Sequence, residues 1–147
     1  MAWRNSSSRF RRNPPHGFVV PCSPTLVGHP PAGPNWLHEV KHDGYRILAR
    51  KRSERVKLWS RRGADYTVKF PAIAQAVRGL RADEALIDGE AVVFRPDGRS
   101  DFEALLTKRG AERAWYVAFD LLRAGSLYRS GRGRQWQKCK NPAFVRT

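Results

Sequence analysis

From Trp36 to Ser60 the chain alternates with a period of two, and that alternation limits what it can fold into more than any other feature. Successive strand side chains point to opposite faces, so a period of two calls for half-buried strands. Trp36 to Lys41 reads as a first strand and His42-Asp43-Gly44 as a bend. Tyr45, Ile47 and Ala49 then alternate with Arg46, Leu48 and Arg50. A turn at Lys51–Glu54 leads to a strand over Arg55–Ser60. The period then changes. Phe70, Ile73, Val77 and Leu80 stand at helical spacing, with Pro71 tolerable in the first turn and Asp65 or Thr67 as cap.

Strand patterns return over residues 84–95, split around Asp88-Gly89-Glu90, and Pro96-Asp97-Gly98 is a turn. Ser100-Asp-Phe-Glu103 has the form of a capping box ahead of Ala104-Leu-Leu106 and predicts a short helix. Trp115–Leu122 reads as a strand, Arg123–Arg134 is rich in Gly, Arg and Ser, and Trp136–Lys140 reads as a last strand. The expected class is α+β, with mainly antiparallel sheets and a few helices.

Charge divides the chain further. All 13 acids lie between Glu39 and Asp120, where 17 Lys and Arg leave a net +4. Residues 1–38 add four Arg and residues 121–147 add seven Lys or Arg, so the ends carry +11 of the +15. Basic ends around a near-balanced middle point to a polyanion, most simply nucleic acid. The competing reading is a solvated, Arg-rich surface. Residues 1–15 read as a disordered basic arm. Seven of the ten prolines fall between Pro14 and Pro34, which predicts an irregular segment that wraps a surface. At 147 residues a single domain is expected. No apolar run reaches the roughly 18–20 residues of a membrane span, and the basic start lacks the apolar stretch of a secretory signal. Cys22 and Cys139 form no CxxC, so a reducing cytoplasm is the expected location. His16, Cys22 and His29 fit no zinc spacing.

Three groups of residues could carry chemistry. Glu39, Lys41 and Asp43 share a face if their strand runs on. A lysine there is either one more charge on a wet face or a nucleophile, which requires an unprotonated amine. Gly44 beside it would let a ligand approach the backbone. Asp88 and Glu90 are either the flanks of a tight bend or hard oxygen donors for Mg²⁺. Trp136, Lys138 and Lys140 are either a basic edge strand or a grip for phosphate.

Taken together and in order, these pieces resemble a known family. Lys41-His-Asp43-Gly44-Tyr-Arg46 has the form KxDGxR and resembles the nucleotide-attachment motif of ATP-dependent DNA ligases and their nucleotidyltransferase relatives. Five further blocks look like the ligases of bacterial end-joining repair: Trp59–Gly63, Asp65–Pro71, Leu86–Glu90, Ser100–Phe102 and Ala118–Leu122. Tyr128 to Pro142 looks like the family's last nucleotide motif. The resemblance spans about Gly17 to Ala143, so residues 16–143 would be a partial adenylation domain and residues 144–147 a tail.

The resemblance implies roles residue by residue. Lys41 would attack the α-phosphate of ATP and become lysyl-AMP. Glu39 would face the adenine amino group, and Phe119 would stack on adenine. Arg46 and Arg61 would hold ribose and phosphates, and Glu90 would contact ribose or Mg²⁺. Asp43 and Gly44 belong to the motif that presents Lys41. Lys138 and Lys140 would neutralise charge developing on the α-phosphate. AMP would pass to a 5′-phosphate in nicked or broken DNA, which implies DNA repair and recombination at the bacterial nucleoid. Other end-joining proteins or a complementing chain would be the partners.

The chain also departs from the pattern. The family's Glu followed by Gly-Ile/Val-Val-x-Lys has no counterpart between Phe119-Asp120 and the final lysines, as if a block were missing at Leu122–Arg123. No OB-fold domain is expected after Lys140. An incomplete nucleotidyltransferase core with unpaired strand edges follows. A non-catalytic or decayed fragment, acting as a basic nucleic-acid-binding module, is the alternative reading.

Overall fold

The computed structural model describes residues 15–22, 28–29, 33 and 40–125. Residues 1–14, Glu39, the expected strand over 136–140 with Lys138 and Lys140, and the tail lie outside the described residues.

Among the described residues four strands and three short helices follow in order: β1 (Tyr45–Arg52), β2 (Arg55–Ser60), α1 (Pro71–Arg78), β3 (Glu84–Val92), α2 (Phe102–Leu106), α3 (Lys108–Glu112) and β4 (Trp115–Ala124). All pairings are antiparallel, in one sheet of order β2-β1-β3-β4. The α+β reading is thus observed directly. The pairing follows from the alternation, because Ile47 and Ala49 must both reach one apolar face. That face, with Val56, Leu58 and Ala91, packs against Phe70, Ile73, Ala74 and Val77 and against Leu105 and Ala111. Phe70 and Leu58 are fully buried. Burial of side chains this size stabilises by about 1.5–3 kcal/mol each. The opposite face carries a smaller cluster of Leu48, Trp59 and Leu86, joined by Phe18 and Leu122.

Several local expectations are corrected. Val40 and Lys41, the last residues of the expected first strand, are not in a strand. Lys51 and Arg52 extend β1, and the turn is only Ser53-Glu54, with Ser53 at φ 50°. Lys51 points inward, and its ammonium donates to the carbonyls of Arg78 and Leu80 at the end of α1. Cations are favoured at that end of a helix, which accounts for a buried lysine.

Neither Asp65 nor Thr67 caps α1. Phe70 is the N-cap, with Pro71 next. Asp65 instead accepts from the Thr67 N–H at 2.9 Å and from Lys57 Nζ at 2.7 Å. Thr67 Oγ1 accepts from the Leu58 N–H at 3.1 Å. Both side chains are spent holding the loop to β2. Leu80 lies beyond α1 and is exposed.

Asp101, not Ser100, caps α2, its Oδ1 accepting from the Ala104 N–H at 3.0 Å. Ser100 pairs with Phe94 in an isolated bridge. The helix α3 was not expected, and Thr107 caps it by accepting from the Gly110 N–H at 3.0 Å.

The largest correction is in β3. It runs unbroken through Asp88-Gly89-Glu90. The irregularity falls on β4, where partners jump from Asp120 to Ala118 and from Arg123 to Leu121. Phe119 and Leu122 are the extra residues at these two bulges. β4 itself runs on through the proposed join at Leu122–Arg123 to Ala124.

Candidate functional site

Lys41, Asp43 and Gly44 form the approach to β1, and Arg46 is its second residue. Arg46 stands opposite Glu90, and Leu48 opposite Asp88, so these four share a face of β1 and β3. Lys41 and Asp43 are exposed, while Glu90 is partly buried.

Glu90 is where the expected residues converge. Burial raises its carboxyl above the ordinary value. The charges of Lys41 and Arg46 and a hydrogen bond from the Gly44 N–H pull it back, and Asp43 adds to the rise. Lys41, Asp43, Gly44, Arg46 and Glu90 are therefore one constellation, with the Glu90 carboxylate at its centre.

The backbone makes this closeness possible. A Cβ on Gly44 would collide with the Ala91 carbonyl oxygen and stand 3.0 Å from Glu90 Cγ. Only glycine lets the segment carrying Lys41 lie against the end of β3.

Asp88 has a different task from the one sequence reasoning allowed it. Its carboxylate accepts from Arg46 Nε at 2.6 Å and from Nη2 at 2.7 Å, and the residue is 1% exposed. A bidentate grip of this kind fixes a guanidinium in one plane. Both Asp88 oxygens accept from Arg46, so Asp88 positions the guanidinium. Sequence reasoning missed this pairing because the partners are 42 residues apart.

Arg46 also lies over the Phe119 ring, its Cζ 4.7 Å from the centroid. The bulge at Phe119 delivers that ring to the Arg46 face. On the opposite face, packed against the main apolar cluster, Tyr116 donates from its hydroxyl towards the carbonyls of Ile47 and Ile87, at 3.1 and 3.0 Å. Burial, and then the nearby Asp88 charge, push its phenol well above the ordinary range, so it stays neutral.

Arg61 stands apart. It lies in the exposed loop after β2, on the far side of β1 from Glu90. Among the described residues no group of three or more His, Cys, Asp or Glu side chains could hold a metal ion. Mg²⁺ commonly takes only one or two protein carboxylates and completes its shell with substrate phosphates and water. Glu90, a hard oxygen donor beside Lys41, suits that mode. No helix among the described residues is long and apolar enough to cross a membrane.

The family model of the ATP-dependent DNA ligase domain matches residues 30–130. The multifunctional non-homologous end joining protein LigD of Pseudomonas aeruginosa is 37% identical over 113 residues, which cover 75% of this chain and 13% of that protein. The bifunctional non-homologous end joining protein LigD of Bacillus subtilis is 36% identical over 67% of this chain and 19% of its own length. Among solved structures, the ligase domain of M. tuberculosis LigD matches with a TM-score of 0.51 at 38% identity, over 58% of this chain and 29% of that one. A mycobacterial DNA ligase D complexed with ATP and MES matches with a TM-score of 0.50 at 35% identity. The chain thus spans less than a fifth of these LigD proteins and under a third of the solved ligase chain.

Proposed function

Since the chain belongs to the ATP-dependent DNA ligase domain family, we propose that it takes AMP from ATP onto Lys41 and, in the whole protein, passes it to a 5′-phosphate in broken or nicked DNA. The observation that supports this most is the register that sets Arg46 opposite Glu90, with Gly44, three residues from Lys41, packed against the Glu90 side chain. It puts an exposed amine, a guanidinium held in a fixed plane and a carboxylate at one end of one sheet.

In the proposed step the unprotonated Lys41 Nζ forms a bond to the α-phosphorus of ATP. The bond from that phosphorus to the bridging oxygen breaks, pyrophosphate leaves, and the amine loses its remaining extra proton. Arg46, held by Asp88, is placed to hold ribose and phosphate oxygens without reorganising. Phe119 supplies an apolar ring for the adenine on the face that Arg46 does not cover. Arg61 would add a phosphate contact from the loop after β2. Glu39, Lys138 and Lys140 keep the roles that the resemblance implies for them. Mg²⁺, held at Glu90 and the phosphates, would supply positive charge to offset the leaving pyrophosphate.

DNA is the proposed acceptor, with the basic ends as its electrostatic contact. The same ends favour a second reading, a nucleic-acid-binding module with no adenylation. Incubation with α-labelled ATP and Mg²⁺ separates the two. Label that stays with the denatured protein, and is lost in Lys41→Ala, supports adenylation. DNA binding with no retained label supports the module.

A further inference from the structure

Residues 15–18 form a strap against the face of the sheet that carries Arg46 and Glu90. The strap opens with a turn in which the Phe18 N–H donates to the Pro15 carbonyl at 2.9 Å. Arg50 Nη1 donates to the His16 carbonyl at 3.0 Å and ties the turn to β1. Gly17 lies against the same guanidinium, and its φ of 81° favours glycine there. Phe18 meets Trp59 edge-on, with centroids 6.0 Å apart and planes at 87°. Together with Leu48, Leu86 and Leu122 they form the second apolar cluster.

The turn also reaches past β2. A Cβ on Gly63 would lie 3.2 Å from Pro15 Cδ and 3.8 Å from the Phe18 ring. Gly63 is buried and has φ 80°, although Arg61 and Arg62 beside it are exposed. One side of the Ser60–Gly63 loop is closed by its own bonds: Gly63 N–H to the Ser60 carbonyl at 2.8 Å, and Ala64 N–H to Ser60 Oγ at 3.0 Å. The strap closes the other side.

We propose that Phe18 is a positioning residue for nucleotide binding: seated on Trp59, it backs Gly63 and fixes the direction in which Arg61 leaves β2. This rests on the reading of Arg61 as a nucleotide contact. A loop with a glycine at positive φ has many conformations, and a ligand that must select one binds more weakly. An aromatic wall behind Gly63 removes those alternatives before ATP arrives. A purely structural Phe18 would contribute to stability and leave Arg61 no better placed.

Two measurements on the full chain separate these roles. The first is brief trypsin digestion with cleavage resolved by site. Phe18→Ala is expected to speed cleavage after Arg61 and Arg62 severalfold, relative to Arg99 in a turn remote from the strap, and Phe18→Tyr to restore the slow rate. Equal acceleration at all three sites, or none, overturns the proposal. The second is ATP affinity in a double-mutant cycle. Phe18→Ala is expected to weaken binding by about fivefold in the native background and hardly at all in Arg61→Ala, since residues acting as a unit are not additive. Equal losses in both backgrounds would mean that Phe18 does not act through Arg61. If Arg61→Ala binds ATP normally while Lys41 still accepts label, the positioning role falls and adenylation stands. If the native chain binds no ATP, the adenylation reading falls, and site-resolved cleavage still decides whether the strap clamps the loop.

Discussion

Arg46 grips Asp88 through two parallel hydrogen bonds of 2.6 and 2.7 Å, from β1 to β3 across the face that carries Glu90. The Asp88 side chain is 2% exposed and that of Arg46 is 18% exposed. Removing one partner of such a pair leaves an uncompensated charge, and the loss is about 3–5 kcal/mol. Asp88→Ala is expected near the lower end of that range, because Arg46 also lies over Phe119. The double change Arg46→Met with Asp88→Leu is expected to lose less than Asp88→Ala. Urea midpoints of the three variants check this ordering.

Glycine at position 44 is a steric requirement of the site. Gly44→Ala would press a methyl group into the Ala91 carbonyl. The ends of β1 and β3 must then separate, carrying Lys41 away from Glu90. A displacement of about 1 Å at a reacting group can reduce rate by about a hundredfold. Gly44→Ala is expected to lose that much in lysyl-AMP formation while retaining the far-ultraviolet dichroism of the folded sheet. Adenylation within a fewfold of native would contradict the close-approach account.

Glu90 predicts a pH dependence with a definite sign. Its folded-state value is raised, first by burial. The ionised carboxylate is therefore disfavoured on folding, and stability is greatest below the unfolded value and falls as pH rises through the folded one. Glu90→Gln removes that penalty. The variant is expected to melt higher than the native chain at neutral pH, with the gap closing towards pH 3, and to lose Mg²⁺-dependent adenylation. Thermal melts across pH in the absence of nucleotide measure the first effect. An unchanged or lower neutral-pH melting temperature would contradict it.

DNA binding is expected to be strongly salt-dependent and little dependent on sequence. The motive is the +11 carried by residues 1–38 and 121–147. Each neutralised phosphate adds about 0.9 to the slope of log affinity against log salt. Residues 1–15 hold four Arg, so removing them should flatten the slope by up to about 3–4 if all four make contacts. Fluorescence anisotropy on an unrelated pair of duplexes at several salt concentrations measures both.

The elements legible in the sequence were those specified by local pattern. β1 and β2 alternate visibly, β4 is a run of apolar residues of strand length, and α1 shows Phe70, Ile73 and Val77 at helical spacing. β3 read as two pieces because Asp88-Gly89-Glu90 has the composition of a turn. Its continuity depends on distant partners: Arg46 for the Asp88 charge, and for Gly89 the Tyr116 ring and the Val117 carbonyl, 2.7 and 2.5 Å from where a Cβ would stand. The loop roles of Asp65 and Thr67 likewise depend on Lys57 and Leu58 across a hairpin. In the site, the KxDGxR spacing pointed to Lys41, Asp43, Gly44 and Arg46 and the Leu86–Glu90 block to Glu90, and only the strand register shows that Arg46 stands opposite Glu90. Phe18 left no periodic signal, since its segment has no regular structure. Its place is set by Trp59 and Gly63, more than 40 residues along the chain.

The central claim is that Lys41 is the residue that takes AMP. The chain holds six lysines besides Lys41, and one of them, Lys51, is buried with its ammonium on two carbonyls. The most direct test is to incubate the purified chain with ATP and Mg²⁺, digest it, and locate the AMP adduct by mass spectrometry. The account predicts a phosphoramidate on Lys41, acid-labile as a bond between phosphorus and a lysine nitrogen should be, and abolished in Lys41→Ala. An adduct on another lysine, or none at all under conditions where ATP is bound, would contradict it.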